Sequence, residues 1–372
     1  MSAGHFSDDD YMAAAIAYAR RGLGETAPNP SVGCIIVKDG VIVGRGNTQK
    51  GGRPHAETVA IADAGQAARG ATLYVTLEPC SHHGVTGPCA NAIVQAGLAR
   101  VVSALEDPDP RVAGRGHEIL RMAGLDVRVG VQAEAALRGN LGHILRVTQG
   151  RPMVTLKLAQ TADGFAASSN QHDQRLMITG QAANNRVQIM RALHDAIMIG
   201  VGTALGDDPL LTVRAPGLDN RAPLRVVLDS DLRLPLRSRL VSTAKDKPVL
   251  VIAGVGASDE AQRALQAAGV EVILVARDAA GHVDLNGALQ ALGARGITRV
   301  FSEGGPQVAA SLITAGLADD IVLIRGEKPF GGAGLPTLSA AARQLLSDPS
   351  RFSHVSKTMA GVDHLSRYER VL

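Results

Sequence analysis

A histidine and a glutamate two positions apart, His55-Ala56-Glu57, precede two cysteines, Cys80 and Cys89, each of which directly follows a proline. The chain has only three cysteines, and two of them stand nine positions apart. One histidine and two thiolates are a recognisable donor set for zinc, and with the fourth position open to water such a site is catalytic. The metal lowers the pKa of that water toward about 7, so that hydroxide is available at neutral pH. A carboxylate that is not itself a ligand, here Glu57, can then carry the proton to a leaving amine. A closed structural site is the alternative; it needs a fourth protein ligand, which His82 or His83 could supply. The third cysteine, Cys34, lies in the apolar run "VGCIIV" and reads as a small buried hydrophobe.

A second set of residues lies far downstream. In "TRVFSEGGPQVAASLITAGL" a strand-like run ends at Glu303-Gly304-Gly305-Pro306 and a helical pattern follows, with Val308, Leu312 and Ala315 on its apolar face. Proline suits the first helical turn. Glycines at a helix start allow close approach of a phosphate to free backbone N–H groups. An ordinary tight strand–helix turn explains the same residues equally well. The stretch "GVGTALGDDPLLTVR" adds another glycine turn, the pair Asp207-Asp208 and Arg214, and "RVVLDS" ends in Asp229-Ser230. No G-x-G-x-x-G follows a strand, which disfavours a Rossmann dinucleotide site.

These residues need a scaffold that holds strand ends and helix starts together. The chain has 372 residues, long enough for two domains. Its hydrophobic content is 45% with only 2% aromatics and no Trp, so the cores must be built from Ala, Val, Leu and Ile. "DDDYMAAAIAYARRG" reads as a helix capped by Asp8 or Asp9, and "VGCIIVKDGVIVGRG" as a hairpin turning at Lys38-Asp39-Gly40. A helix follows His55, then the strand-like "ATLYVTLE", the cysteine loop, the helix "ANAIVQAG" and the strand "RVVSAL". The turn Gly150-Arg151-Pro152 separates this half from a second one, in which "MVTLKLA", "DAIMIGVG", "LRVVLDS", "KPVLVIAG", "VEVILVA" and "TRVFSEGG" read as buried strands. Strands alternating with helices predict an α/β architecture in both halves. The expected domains are 1–148 and 151–372.

The pairing of H-x-E with P-C is the mark of zinc nucleobase deaminases, although eight residues separate Cys80 from Cys89 here. "APNPSVGCIIV", "PHAE", "EPCSHHGVTGPC" and "EDPDPRVAGRG" together resemble the deaminase half of the bifunctional riboflavin-biosynthesis deaminase/reductase family. "LKLAQTADGFAA", "LMITG", "GVGTALGDDPLLTVR", "RVVLDS" and "SEGGPQVAAS" resemble its reductase half, in the same order and spacing. The resemblance covers essentially the whole chain. It implies a cytidine-deaminase-like α/β/α sandwich followed by a dihydrofolate-reductase-like α/β domain, one Zn2+ per chain, and NADPH.

Carried over by position, the resemblance makes His55, Cys80 and Cys89 the zinc ligands, Glu57 the proton shuttle, Asn29 a pyrimidine contact and His82 a substrate contact in the inserted loop. It places Ala159, Met177, Thr203, Asp207 and Ser230, together with Gly305, Pro306, Gln307, Val308, Ala309, Ala310 and Ser311, on the nicotinamide cofactor. It places Lys157, Asp163, Arg175, Arg191, Leu211, Arg214 and Glu303 on the substrate. Arg191 and Arg214 suit a ribose phosphate, because guanidinium pairs with phosphate through two parallel hydrogen bonds. Val85, Gly87 and Asp109 depart from the deaminase pattern, and Phe165, Arg175 and Met177 from the reductase pattern. The implied chemistry is deamination of 2,5-diamino-6-(5-phosphoribosylamino)pyrimidin-4-one, then hydride transfer from NADPH that opens the ribosyl ring to a ribityl chain. The reductase proton donor is left open among Asp207, Glu303 and Lys157.

Two other readings are set against this one. A zinc nucleobase or nucleoside deaminase with an inactive or differently specific C-terminal domain would share the first half. A zinc-stabilised binding protein would share only the metal. The net charge of +3 is spread along the chain, and no basic stripe with interleaved aromatics appears, so a nucleic-acid partner is not expected. No apolar run reaches the length of a membrane span, and the amino terminus lacks a secretory pattern. The expectation is a cytoplasmic enzyme acting on a small phosphorylated pyrimidine, assembled as a homo-oligomer, either dimer or tetramer.

Overall fold

The structure is a computed structural model, and it describes residues 6–81, 87–168, 177–218 and 220–372. The chain divides into two compact units, Met1–Gly150 and Arg151–Leu372.

The first unit runs α1 (Asp8–Ala19), β1 (Gly33–Lys38), β2 (Val41–Asn47), α2 (Ala56–Ala64), β3 (Thr72–Val75), α3 (Cys89–Gln95), β4 (Arg100–Ser103), α4 (Arg115–Met122), β5 (Asp126–Val129) and α5 (Ala133–Gln149). Its sheet has the order β2-β1-β3-β4-β5; β1 is antiparallel to both neighbours, and β3, β4 and β5 are parallel. Alternation along each strand divides the core in two. Cys34, Ile36, Leu73, Val75 and Val101 pack under α2, α3 and α4, while Ile35, Val37, Tyr74 and Val102 pack under α1 and α5. This is the α/β/α sandwich, and Cys34 is plain core, as expected. The β1–β2 turn is the expected Asp39-Gly40, both residues at positive φ. The cap of α1 differs from expectation. Ser7, not Asp8 or Asp9, sits at the N-cap, accepts the Asp10 N–H and receives that carboxylate in return. A hydroxyl one residue earlier closes the reciprocal box, and Asp8 is left to pair with Arg100, Arg128 and Tyr74.

Gly46 on β2 decides where α2 lies. A Cβ there would stand 2.1 Å from the carbonyl oxygen of Ala56. Only glycine lets the first turn of α2 approach the sheet this closely, and that turn carries His55 and Glu57.

The second unit runs β6 (Met153–Gln160), β7 (Phe165–Ser168), α6 (Gln181–Ala192), β8 (Ala196–Gly200), α7 (Val201–Asp207), β9 (Leu224–Leu228), α8 (Arg239–Ser242), β10 (Val249–Gly254), α9 (Asp259–Ala267), β11 (Glu271–Val275), α10 (Leu285–Ala294), β12 (Arg299–Ser302), α11 (Pro306–Thr314), β13 (Asp320–Arg325), β14 (Gly334–Pro336), α12 (Ala340–Ser347), β15 (Phe352–Ala360) and β16 (Asp363–Arg370). Its main sheet has the order β11-β10-β9-β8-β12-β6-β13-β16-β15, parallel from β11 to β13 and antiparallel over the last two strands. The near-continuous apolar runs of β8 and β10 follow from this, because a parallel strand covered on both faces has no polar side. Ile197, Ile199, Val227, Val251 and Phe301 point to the face covered by α6 to α9. Val154, Leu156, Met198, Val226 and Ile252 point to the face covered by α10, α11 and α12. The buried face of α11 is Ala309, Leu312 and Ile313; Ala315, expected on it, is exposed just past the last turn. Among the described residues no helix is long and apolar enough to cross a membrane.

Candidate functional site

In the first unit, chain segments distant in sequence converge at one end of the sheet. His55 is the N-cap residue of α2, and its side chain takes no part in capping. Cys89 opens α3, and Cys80 lies on the loop beyond β3. That loop is pulled back onto the start of α3, where the Ala90 N–H donates to the Cys80 carbonyl (3.2 Å) and the Cys89 N–H donates to Cys80 Sγ (3.3 Å). His55 Nδ1 stands 3.6 Å from Cys80 Sγ and 3.3 Å from Cys89 Sγ, and all three donor atoms lie within 4.8 Å of one another. Tetrahedral zinc with ordinary Zn–N and Zn–S bonds requires N···S separations of about 3.5 Å. The donor set and its spacing therefore fit zinc without rearrangement.

The three donor groups and Glu57 shift one another's protonation. The hydrogen bond from the Cys89 thiol pulls Cys80 down to about 4, against the opposing effect of burial. The same contact, with burial, pushes Cys89 up. The Cys80 thiolate raises His55 through their hydrogen bond, against burial. Glu57 is 3% exposed, and burial together with the Cys80 thiolate lifts its carboxyl to about 7. A carboxyl poised there can both take and give a proton at neutral pH.

Asn29 reaches the same region, because its amide donates to the carbonyl of Gly52 (2.8 Å), three residues before His55. His82 and Val85 lie outside the described residues. Sequence reading missed Glu78. Its fully buried carboxylate accepts four backbone N–H groups, from Asp107 (3.1 Å), Gly114 (2.9 Å), Gly116 (2.8 Å) and His117 (3.3 Å). It thereby ties the 107–117 loop to the strand end that leads into Cys80. Asp107 in that loop accepts from His143 Nε2 (3.2 Å) on α5. Glu78, Glu106 and His117 also form a metal-like cluster, but both Glu78 oxygens are already taken by backbone donors. Only burial distinguishes Glu78 from a surface glutamate, and burial is not visible in "LEPC".

In the second unit the turns after β8 and β12 lie side by side, because these strands are parallel neighbours. A Cβ on Gly305 would sit 3.4 Å from Thr203 Oγ1, and one on Gly200 would meet Val308 at 2.9 Å. Two glycine turns thus form a cradle that side chains would fill. Gly305 is the N-cap of α11 and Pro306 its first residue. Gln307 and Val308 present N–H groups of the first turn, whereas the Ala309 N–H is already bonded to the Gly305 carbonyl and its side chain is fully buried. Of the expected pyrophosphate run, then, Gly305, Gln307 and Val308 front the cradle, and Ala309, Ala310 and Ser311 continue the helix behind it. Backbone donors at a helix start beside small residues fit a dinucleotide phosphate.

Other expected residues divide into two groups. Lys157 and Ala159 lie on central strand β6, and Asp207 closes α7. Met177 is 74% exposed, and Arg175 lies outside the described residues. Ser230 follows β9, where its hydroxyl accepts from the Val283 N–H (2.9 Å). Asp163 accepts from Thr161 Oγ1 (2.5 Å) and from the N–H groups of Phe330 (2.8 Å) and Gly331 (3.1 Å), which lower its carboxyl to about 2. It organises two turns. Arg191 and Glu303 are brought together in a two-bond ion pair, and Arg191 Nη1 also donates to the Thr212 carbonyl (2.9 Å). The expected phosphate clamp therefore has one arginine with its fork engaged internally. The other, Arg214, is exposed, and among the described residues it forms no ion pair.

The comparisons agree with both halves. Residues 6–105 match the cytidine and deoxycytidylate deaminase zinc-binding region, and residues 152–354 match the RibD C-terminal domain. The riboflavin biosynthesis protein RibD of Escherichia coli (strain K12) is 38% identical over 367 residues, covering 96% of this chain and 97% of that protein. That of Aquifex aeolicus (strain VF5) is 40% identical over 324 residues, covering 87% and 88%. Among solved structures, Acinetobacter baumannii RibD superposes with a TM-score of 0.85 at 35% identity over 98% of this chain and 99% of that one. A Thermotoga maritima protein titled diaminohydroxyphosphoribosylaminopyrimidine deaminase/5-amino-6-(5-phosphoribosylamino)uracil reductase superposes at 0.82 with 33% identity over the same shares. Matches that run through both halves leave no support for the alternative of a zinc nucleobase or nucleoside deaminase with an inactive or differently specific C-terminal domain. A zinc-type deaminase site, a dinucleotide cradle and full-length kinship lead to one conclusion: the chain belongs to the RibD family of riboflavin-biosynthesis proteins, bifunctional enzymes that join a zinc-dependent deaminase to an NADPH-dependent reductase.

Proposed function

We propose that the chain deaminates 2,5-diamino-6-(5-phosphoribosylamino)pyrimidin-4-one and then reduces the ribosyl group of the product, the two activities for which its Thermotoga maritima relative is named. The observation that carries the reading is the convergence of His55, Cys80 and Cys89 on one point beside a buried Glu57. His55, Cys80 and Cys89 would hold the metal, which would supply Lewis acidity and a water that ionises near pH 7. Glu57, buried beside the three donors, is the side chain that would carry a proton to the departing exocyclic amine, so that ammonia could leave. Asn29 orients the pyrimidine from the loop that rests on Gly52. Glu78 and its four N–H donors keep the neighbouring loop in place.

In the second unit Gly305, Gln307, Val308 and Thr203 would cradle the cofactor's phosphates. The dinucleotide supplies the hydride. This chain's residues position the sugar. Glu303, held by Arg191, faces the loop that carries Leu211 and Arg214, and Arg214 takes the 5′-phosphate. With hydride delivered to C1′, the ring C–O bond would break and the ring oxygen would need a proton. Of the three expected proton sources, Glu303 has both carboxylate oxygens engaged by Arg191, so Asp207 and Lys157 are the side chains from which that proton could come. The enzyme works in the cytoplasm as a homo-oligomer; the exposed outer strand β15, with Val355 and Met359 uncovered, supports self-association.

The test is an assay on zinc-loaded protein with the diaminopyrimidine ribosylamino phosphate, following ammonia release and NADPH oxidation separately. The expected result is NADPH oxidation that requires prior ammonia release. Protein with one zinc per chain and neither signal would overturn the proposal.

A further inference from the structure

Loop 208–214 is held at every second residue. The Asp208 carboxylate accepts the N–H of Arg239 at the start of α8 (2.8 Å). The Leu210 carbonyl accepts from Arg225 Nη1 (3.2 Å), the Thr212 carbonyl accepts from Arg191 Nη1 (2.9 Å), and the Arg214 N–H donates to Gln188 Oε1 (2.8 Å). Gln188 and Arg191 are three residues apart on α6 and so share one face of that helix. Between the two arginine-held carbonyls sits Leu211, 3% exposed and at φ +50°. A branched side chain in the left-handed region is strained, and such a conformation persists only where its surroundings over-determine it.

Arg225 is the unusual member of this set. It is the second residue of β9 and is 1% exposed. Its other donors reach Thr243 Oγ1 (2.8 Å) and the carbonyls of Thr243 (3.1 Å) and Lys247, and among the described residues no carboxylate pairs with it. A buried charge without a counter-ion is expensive, and an apolar side chain of similar volume would relieve that cost. What an apolar side chain could not do is hold the Leu210 carbonyl. The loop so fixed ends at Arg214, whose guanidinium is exposed.

We infer that Gln188 and Arg225 are positioning residues for the reductase substrate: together they fix loop 208–214 in the one conformation that presents Arg214 to the 5′-phosphate. The inference rests on the proposed role of Arg214. Neither residue touches the substrate. Gln188 holds the backbone of Arg214 itself, and Arg225 holds the strained residue's neighbour.

The experiment is steady-state reduction by the full-length protein, using the deaminated substrate and its dephosphorylated counterpart, in wild type, Gln188→Met, Arg225→Lys and Arg214→Gln. Ammonia release from the first unit serves as the internal control for intact protein. Gln188→Met removes one acceptor from a half-buried helix position, so the chain should fold. It should raise KM for the phosphorylated substrate about tenfold, the effect of one lost hydrogen bond. kcat, KM for NADPH and ammonia release should stay within about twofold, and preference for the phosphorylated substrate should fall by the same factor as KM rises. Arg225→Lys keeps a donor and should show a smaller rise of the same kind. Unchanged KM and unchanged phosphate preference in Gln188→Met, with both altered in Arg214→Gln, would overturn the inference while leaving the role of Arg214 intact. No effect in Arg214→Gln would overturn that role and the inference with it. A loss of thermal stability in Gln188→Met or Arg225→Lys with KM unchanged would show that these residues only support the fold, and would also overturn it.

Discussion

Arg191 and Glu303 are joined by two hydrogen bonds, Nε to Oε1 at 2.5 Å and Nη2 to Oε2 at 3.0 Å, with both side chains about nine-tenths buried. The pair joins α6 to the end of β12. Removing one member leaves the other charged and buried, which costs roughly 3 kcal/mol. Arg191→Met should therefore lower the urea-unfolding midpoint of the protein and abolish NADPH oxidation while ammonia release continues. The double variant Arg191→Met/Glu303→Leu should recover much of the stability and none of the reduction.

Glu57→Gln should keep one zinc per chain and reduce ammonia release about 10²- to 10⁴-fold, the usual contribution of a general acid–base group. Cys89→Ser should instead lose the metal. Metal content by atomic absorption, measured beside turnover, separates the two.

Glu78→Ala leaves four backbone N–H groups of the 107–117 loop without their acceptor. Orphaned buried donors cost roughly 1–3 kcal/mol each before relaxation. Deamination should fall, largely through a higher KM, with zinc retained and NADPH oxidation of pre-deaminated substrate unchanged. Zinc loss in this variant would show that Glu78 supports the metal loop more than its neighbour.

His194 makes stability depend on pH. It is fully enclosed, its ring bonded to the Met190 carbonyl at Nδ1 (2.6 Å) and to Thr155 Oγ1 at Nε2 (2.9 Å), and burial depresses it to about 3. Below about 6.5 the unfolded chain binds a proton that the folded chain refuses, so the folded state is disfavoured as pH falls from 6.5 toward 3. The slope from this one group approaches 1.4 kcal/mol per pH unit. Urea unfolding at pH 7 and pH 5 should show the loss in wild type, and His194→Gln should reduce it by about 2 kcal/mol over that interval.

Much of this protein is written locally. The zinc donors are recognisable because chemistry restricts both the residue types and the prolines and helix starts that frame them. The α/β class follows from apolar runs that alternate with helical patterns, and full-length kinship was legible in short motifs such as "PHAE" and "SEGGPQ". Local pattern could not supply what depends on contacts between distant segments. Arg191 and Glu303 were each expected on the substrate, but nothing in the sequence pairs them: they lie 112 residues apart, and only the fold brings their side chains together. Ser7 displaced Asp8 as a cap because Arg100, Arg128 and Tyr74, from other elements, claim Asp8. Glu78, Gln188 and Arg225 carry no motif at all. Their significance is burial and the backbone groups they meet, and both come into being only when the chain closes on itself.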